Sequence, residues 1–131
     1  ATTGEQVAIK VFPRTELDCH PEMMTKLSQE VSIMQSMDHP NILKMHEVIM
    51  TQENLYIVME YTPGGELFRI IRNKILSPEQ SFRYFHTILS TVEYCHSCSV
   101  SHRDIKPENI FVAADGSLRL ADFCMATLLI D

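Results

Sequence analysis

The stretch His102-Arg103-Asp104-Ile105-Lys106-Pro107-Glu108-Asn109 packs a base, two cations and an amide around a single proline. Ile110 to Leu120 follows with the look of a short hairpin, and then Ala121-Asp122-Phe123-Cys124. Asp104 and Asn109 share one loop, and Asp122 lies just past the hairpin. A carboxylate, an amide and a second carboxylate so spaced can meet around a divalent ion. Hard cations such as Mg²⁺ take oxygen ligands of this kind and share them with phosphate. The chemistry to look for is therefore metal-assisted handling of phosphate.

Such a loop needs elements to hold it and further charges to complete it. Gln6 to Phe12 reads as a strand rich in β-branched residues, ended by Pro13. Lys10 lies inside that apolar run, where a buried ammonium needs a carboxylate or a phosphate, or a stem long enough to reach water. Pro21-Glu22 suits the first turn of a helix. Met23, Met24, Leu27, Val31, Met34 and Met37 follow at spacings of three and four. Glu30 lies beside that stripe and is the natural partner for Lys10; taken alone, it reads as an exposed helix carboxylate. Ile42 to Met50 and Leu55 to Tyr61 read as paired strands. Thr62-Pro63-Gly64-Gly65 reads as a linker or, taken alone, a plain flexible turn. Glu66 to Asn73 reads as a short amphipathic helix. Ser77-Pro78-Glu79-Gln80 has the features of a helix start, a cap, a proline and a capping box. Phe82, Phe85, Leu89, Val92 and Cys95 or His96 then keep helical spacing. Asp115-Gly116 supplies the turn between the strands at Ile110 and Leu118.

With 131 residues the chain has the size of one domain, and its 45% hydrophobic content is enough for a core. A net charge of −6 disfavours nonspecific binding to nucleic acid or anionic membranes. No apolar run approaches the roughly 20 residues of a spanning helix. The polar start Ala1 to Gln6 does not read as a signal peptide, so the expected location is cytoplasmic. Cys95-His96-Ser97-Cys98, with His102 behind it, permits a zinc or redox reading. No second pair completes four ligands, and Cys95 continues a helix face, so a core thiol is the better reading.

The assembled pattern is Val-Ala-Ile-Lys ending at Lys10, Glu30 on the next helix, His-Arg-Asp with Asn109, and Asp122-Phe123. It resembles the eukaryotic-type Ser/Thr protein kinases in order and spacing over nearly the whole chain. Pro63-Gly64-Gly65-Glu66-Leu67-Phe68 and Tyr94-Cys95-His96 are most similar to the calcium/calmodulin-dependent and AMP-activated kinase-related group. The resemblance implies an α+β, two-lobe fold: a small β-rich lobe over residues 1–61, a hinge at 62–65, and a larger helical lobe over 66–131. It implies ATP and Mg²⁺ as cofactors, a protein substrate and a regulatory protein partner. Asp104 would accept or orient the substrate hydroxyl proton, and Lys106 would neutralise the transferred phosphoryl group. Lys10 and Glu30 would pair to place the α- and β-phosphates. Asn109 and Asp122 would hold Mg²⁺. Ala8, Met59, Glu60, Thr62, Glu66 and Phe111 would line the adenosine site with Lys10, Met59 as gatekeeper. Met34, Met45, His102 and Phe123 would stack between the lobes.

Two departures from the family pattern stand out. Cys124 replaces the glycine of the metal loop, and its Cβ disfavours positive φ. The Gly-rich phosphate loop and the Ala-Pro-Glu segment are missing from these 131 residues, so a fold truncated at both ends is expected. A non-catalytic, kinase-derived binding module is therefore the alternative. In that case Phe82, Phe85 and Leu89 would be left uncovered.

Overall fold

The computed structural model describes residues 4–129. Residues 1–3 and 130–131, at the outer ends of the two expected lobes, lie outside the described residues. The β-branched run near the start forms β1 (Val7–Pro13), antiparallel to β3 (Asn54–Glu60). β2 (Met45–Met50) flanks β3 on its other side, giving the order β1-β3-β2. Pro13 closes β1 as expected. Helix α1 (Arg14–Cys19) comes next and was not anticipated, since six residues carry too little periodicity to read. Helix α2 (Pro21–Ser36) starts at its proline. Its Leu27 packs with Leu17, Leu55, Ile57 and Met59 in one buried cluster. Its Ile33 and Met34 enter a second cluster with Leu67, Cys95, Ile110, Leu120 and Phe123. Met23, expected on the apolar stripe, is exposed.

The strand expected from Ile42 begins instead at Met45. Asn41 and Leu43, on either side of Ile42, bond to the far side of the molecule: Leu120 N–H donates to Asn41 O at 2.7 Å, and Leu43 N–H donates to Leu120 O at 2.9 Å. Backbone groups so engaged cannot also join a ladder with β3.

The second part is mainly helical. Gly65–Glu66 forms a two-residue strand, β4, so the helix expected from Glu66 begins one residue later as α3 (Leu67–Asn73). β4 pairs with β6 (Ile110–Val112), which pairs with β7 (Leu118–Leu120). Gly64 is more than a flexible turn. Its N–H donates to Val112 O at 2.9 Å, and a Cβ there would stand 2.6 Å from that oxygen. Helix α4 (Pro78–Ser97) is capped by Ser77, whose Oγ accepts Gln80 N–H at 3.1 Å. The Gln80 side chain turns to the Tyr84 hydroxyl rather than back to the cap, so only half of the expected capping box forms. The packed face of α4 runs through Tyr84, Ile88, Thr91 and Cys95. Phe82, Phe85 and Leu89 lie outside it at 68%, 65% and 56% exposure. Two short strands, β5 (Val100–Ser101) and β8 (Thr127–Leu128), pair across the end of α4. A small sheet-rich part followed by a helical part is the α+β arrangement that the resemblance to protein kinases implies.

Candidate active site

The loop after β5 is held from within. His102 is 2% exposed. Its Nε2 donates to Ala121 O at 2.8 Å, and its Nδ1 accepts Asp104 N–H at 3.2 Å. Both ring nitrogens are engaged, so His102 is a structural tie rather than a base. Its ring meets Phe123 edge-on at 4.7 Å. Phe123 and Met34 lie in one buried cluster, and Met45 packs against it. The four residues expected to stack between the two parts therefore belong to one packed group.

Asn109 sits on a 3₁₀ turn, Pro107–Asn109, and is buried. Its Nδ2 donates to Asp104 O and to Asp104 Oδ2, both at 2.9 Å. That leaves the amide oxygen outside this network. Lys106 Nζ stands 3.3 Å from Asp104 Oδ2. Asp104 is thus fixed by one amide and one ammonium. Ala121 N–H donates to Asn109 O at 2.9 Å, tying this loop to the residue before Asp122.

Arg103 and Asp122 adopt positive φ, 64° and 57°. Left-handed backbone is strained for residues with a Cβ and persists where the surroundings fix it. Arg103 Nε donates to Met125 O at 2.7 Å. Cys124 N–H donates to Asp122 Oδ1 at 3.3 Å. Cys124 is not among the residues with positive φ, so the loop accepts its Cβ without backbone strain.

A cavity of about 310 Å³ opens between the two parts. Ala8, Lys10, Met59, Glu60, Thr62 and Phe111 line it, together with Glu30, Asn109 and Asp122. Glu66 does not line it; it lies one strand away, opposite Phe111 in the β4–β6 pair. Asp104 and Lys106 are also outside the lining and reach it through Asn109. Met34, Ile9, Leu43 and Ala121 complete the wall, and the last three were missed. Only their adjacency to Lys10, to the β2 segment and to Asp122 pointed to them.

Lys10 and Glu30 share this wall but make no ion-pair contact among the described residues. The expected close pair is absent because α2 seats Leu27 on the central strand β3, while Lys10 is on the edge strand β1. Burial pushes the Glu30 carboxyl above its ordinary value, with Lys10 opposing and Asp122 adding to the rise. Burial also works against the Asp122 charge. Hydrogen bonds from the Cys124 thiol and N–H, with the charge of Lys10, outweigh it and hold the carboxyl below its ordinary value. The Cys124 thiol is pushed up to about 11, first by its bond to Asp122 and then by burial. It is a protonated donor at neutral pH. Cys95 is buried in the core, where desolvation pushes its thiol to about 11.

Asp122 and Asn109 on one cavity wall supply hard oxygen donors, a set that fits Mg²⁺. The whole chain, residues 1–131, matches the protein kinase domain family. It belongs to that family. Its curated relatives include CBL-interacting serine/threonine-protein kinase 5 of Arabidopsis thaliana, 43% identical over 95% of this chain and 28% of the relative. CBL-interacting serine/threonine-protein kinase 8 of the same plant is 40% identical over 96% and 28%. CBL-interacting protein kinase 9 of Oryza sativa subsp. japonica is 41% identical over 92% and 26%. The chain spans little more than a quarter of the length of these relatives. No helix among the described residues is long and apolar enough to cross a membrane.

Proposed function

We propose that this chain carries the catalytic centre of a protein Ser/Thr kinase, which transfers the γ-phosphoryl group of ATP to a protein hydroxyl. The observation that carries this reading is the convergence of Lys10, Asn109, Asp122, Met59, Glu60 and Thr62 on one 310 Å³ cavity, with Asp104 anchored to Asn109 beside it. The edge of that cavity at Met59 to Thr62 would hold adenine through backbone groups. Lys10, midway along β1 and opposite Ile57, would meet the α- and β-phosphates. Asn109 and Asp122 would hold Mg²⁺, which when bound neutralises phosphate charge. Asp104 accepts the hydroxyl proton. Its Oδ2 already takes two donors, so it is oriented before substrate arrives. Lys106 would sit over the developing phosphoryl charge. In such transfer, positioning and charge stabilisation do most of the work, so this set is chemically sufficient.

The substrate would be a protein, and the acidic residues Glu66 and Glu108 favour a basic sequence around its hydroxyl. A regulatory protein partner of the CBL kind is part of the proposal, because the relatives are by name CBL-interacting. Cytoplasmic action goes with it.

The test is labelled-phosphate transfer from Mg-ATP to a basic Ser-containing peptide. Asp104→Asn keeps the loop's hydrogen bonds and loses the base, so transfer falls by about 10²–10⁴-fold. Wild-type transfer that persists within twofold in Asp104→Asn contradicts the role given to Asp104. No transfer by the wild type contradicts the reading as a whole.

A further inference from the structure

Arg119 is the one cation on β7, set between Leu118 and Leu120. Both leucines are buried, and strand alternation puts Arg119 on the opposite face. Glu60 is the last residue of β3, in the other part of the molecule. Arg119 Nε stands 2.9 Å from Glu60 Oε1, with side chains 17% and 25% exposed. The remaining ion pairs among the described residues join neighbours within one segment. This one spans 59 residues.

The pair is supported on both sides. Glu60 Oε2 accepts Lys44 N–H at 3.3 Å, and Glu60 N–H donates to Lys44 O at 2.8 Å. Arg119 Nη1 donates to Ser117 Oγ at 2.7 Å and to Leu118 O at 3.1 Å. One carboxylate therefore links the end of β3, the residue just before β2 and the β6–β7 hairpin. The same Glu60 lines two cavities. One is the 310 Å³ site; the other is a wider cleft of about 580 Å³ that also exposes Arg119.

We infer that Glu60 and Arg119 form a clasp just before the hinge, holding Met59–Thr62 at a fixed setting between the two parts. They are positioning residues. A charge-assisted, partly buried pair is short and poorly screened, so it resists separation. A backbone anchored on one side is pre-organised on the other, which lowers the ordering cost of any ligand that reads it. The consequence for nucleotide affinity rests on the reading proposed above; the mechanical consequence does not.

The experiment is amide hydrogen exchange on the ligand-free chain, with Mg-ADP affinity by calorimetry, for wild type, Arg119→Gln and Arg119→Lys. In Arg119→Gln, exchange at Lys44 and Glu60 rises about tenfold while Cys95–Val100 stays unchanged, and the Kd for Mg-ADP weakens about three- to tenfold. Arg119→Lys keeps the charge but not the fork, and recovers part of both effects. Unchanged exchange at Lys44 and Glu60 overturns the clasp. So does a rise shared equally with Cys95–Val100, which reports global loosening. Local loosening with an unchanged Kd overturns the link to the ligand. If the wild type binds no nucleotide, the kinase reading fails, and the exchange alone decides the clasp. If Arg119→Gln fails to fold, Arg119→Lys carries the same comparison.

Discussion

Glu30 is the residue at which charge and burial conflict most clearly. Burial is the largest influence on its carboxyl and raises it, and Lys10 compensates from beyond contact range. A raised folded-state value means that Glu30 adds stability only below its ordinary value of 4.5. That contribution is lost as pH climbs through the raised value. Glu30→Gln removes the cost of the buried charge. Its melting temperature should therefore exceed that of wild type at neutral pH, with the gap closing as pH falls below the ordinary carboxylate range. Melting curves from neutral pH to about pH 4 check this; a less stable Glu30→Gln at neutral pH would mean that Lys10 already outweighs burial. His102 and Asp104 behave differently, since hydrogen bonds within the protein satisfy them whatever the ligand.

Two junctions at the ends of elements can be tested as an opposed pair. Ser99 follows α4 with φ 59°, and its N–H donates to His96 O at 2.9 Å. A residue with a Cβ is strained there, so Ser99→Gly should stabilise the fold by about 1 kcal/mol. Gly64 is the reverse case. A Cβ would overlap Val112 O and Cβ, so Gly64→Ala should cost roughly 1–3 kcal/mol. Urea unfolding of both variants measures the signs; equal stability in the two would remove the packing account of the linker. Elements with strong local signals were legible: β1, α2, the Ser77 cap and the β6–β7 hairpin. The rest depended on distant partners. α1 and the strands β5 and β8 are too short to carry a period. The segment before β2 looks like a strand but bonds to β7. The face of α4 was read from Phe82, Phe85, Leu89, Val92 and Cys95; of these the core takes Cys95, which it joins with Ile88 and Thr91, while Phe82, Phe85 and Leu89 stay exposed. Periodicity identifies an apolar stripe, but only packing shows which stripe is covered.

At the scale of the molecule, two buried clusters share helix α2, and the cavity opens where they meet. The site was legible further than the fold. Lys10, Asn109 and Asp122 are far apart in sequence, yet their types and order suggested one site, because the chemistry of phosphate and metal restricts both; Met59 was named by the resemblance to protein kinases alone. What stayed hidden was distance: the Lys10–Glu30 gap and the Glu60–Arg119 clasp depend on how the two parts are set against each other. The central claim is that this cavity binds a nucleotide with its metal. The measurement is ATP binding by calorimetry with and without Mg²⁺, for wild type and Asp122→Ala. Wild type should bind at least about tenfold more tightly with Mg²⁺, a difference of about 1.4 kcal/mol, and Asp122→Ala should lose that gain while keeping its metal-free affinity. Wild-type affinity indifferent to Mg²⁺, or a full Mg²⁺ gain in Asp122→Ala, would contradict the account.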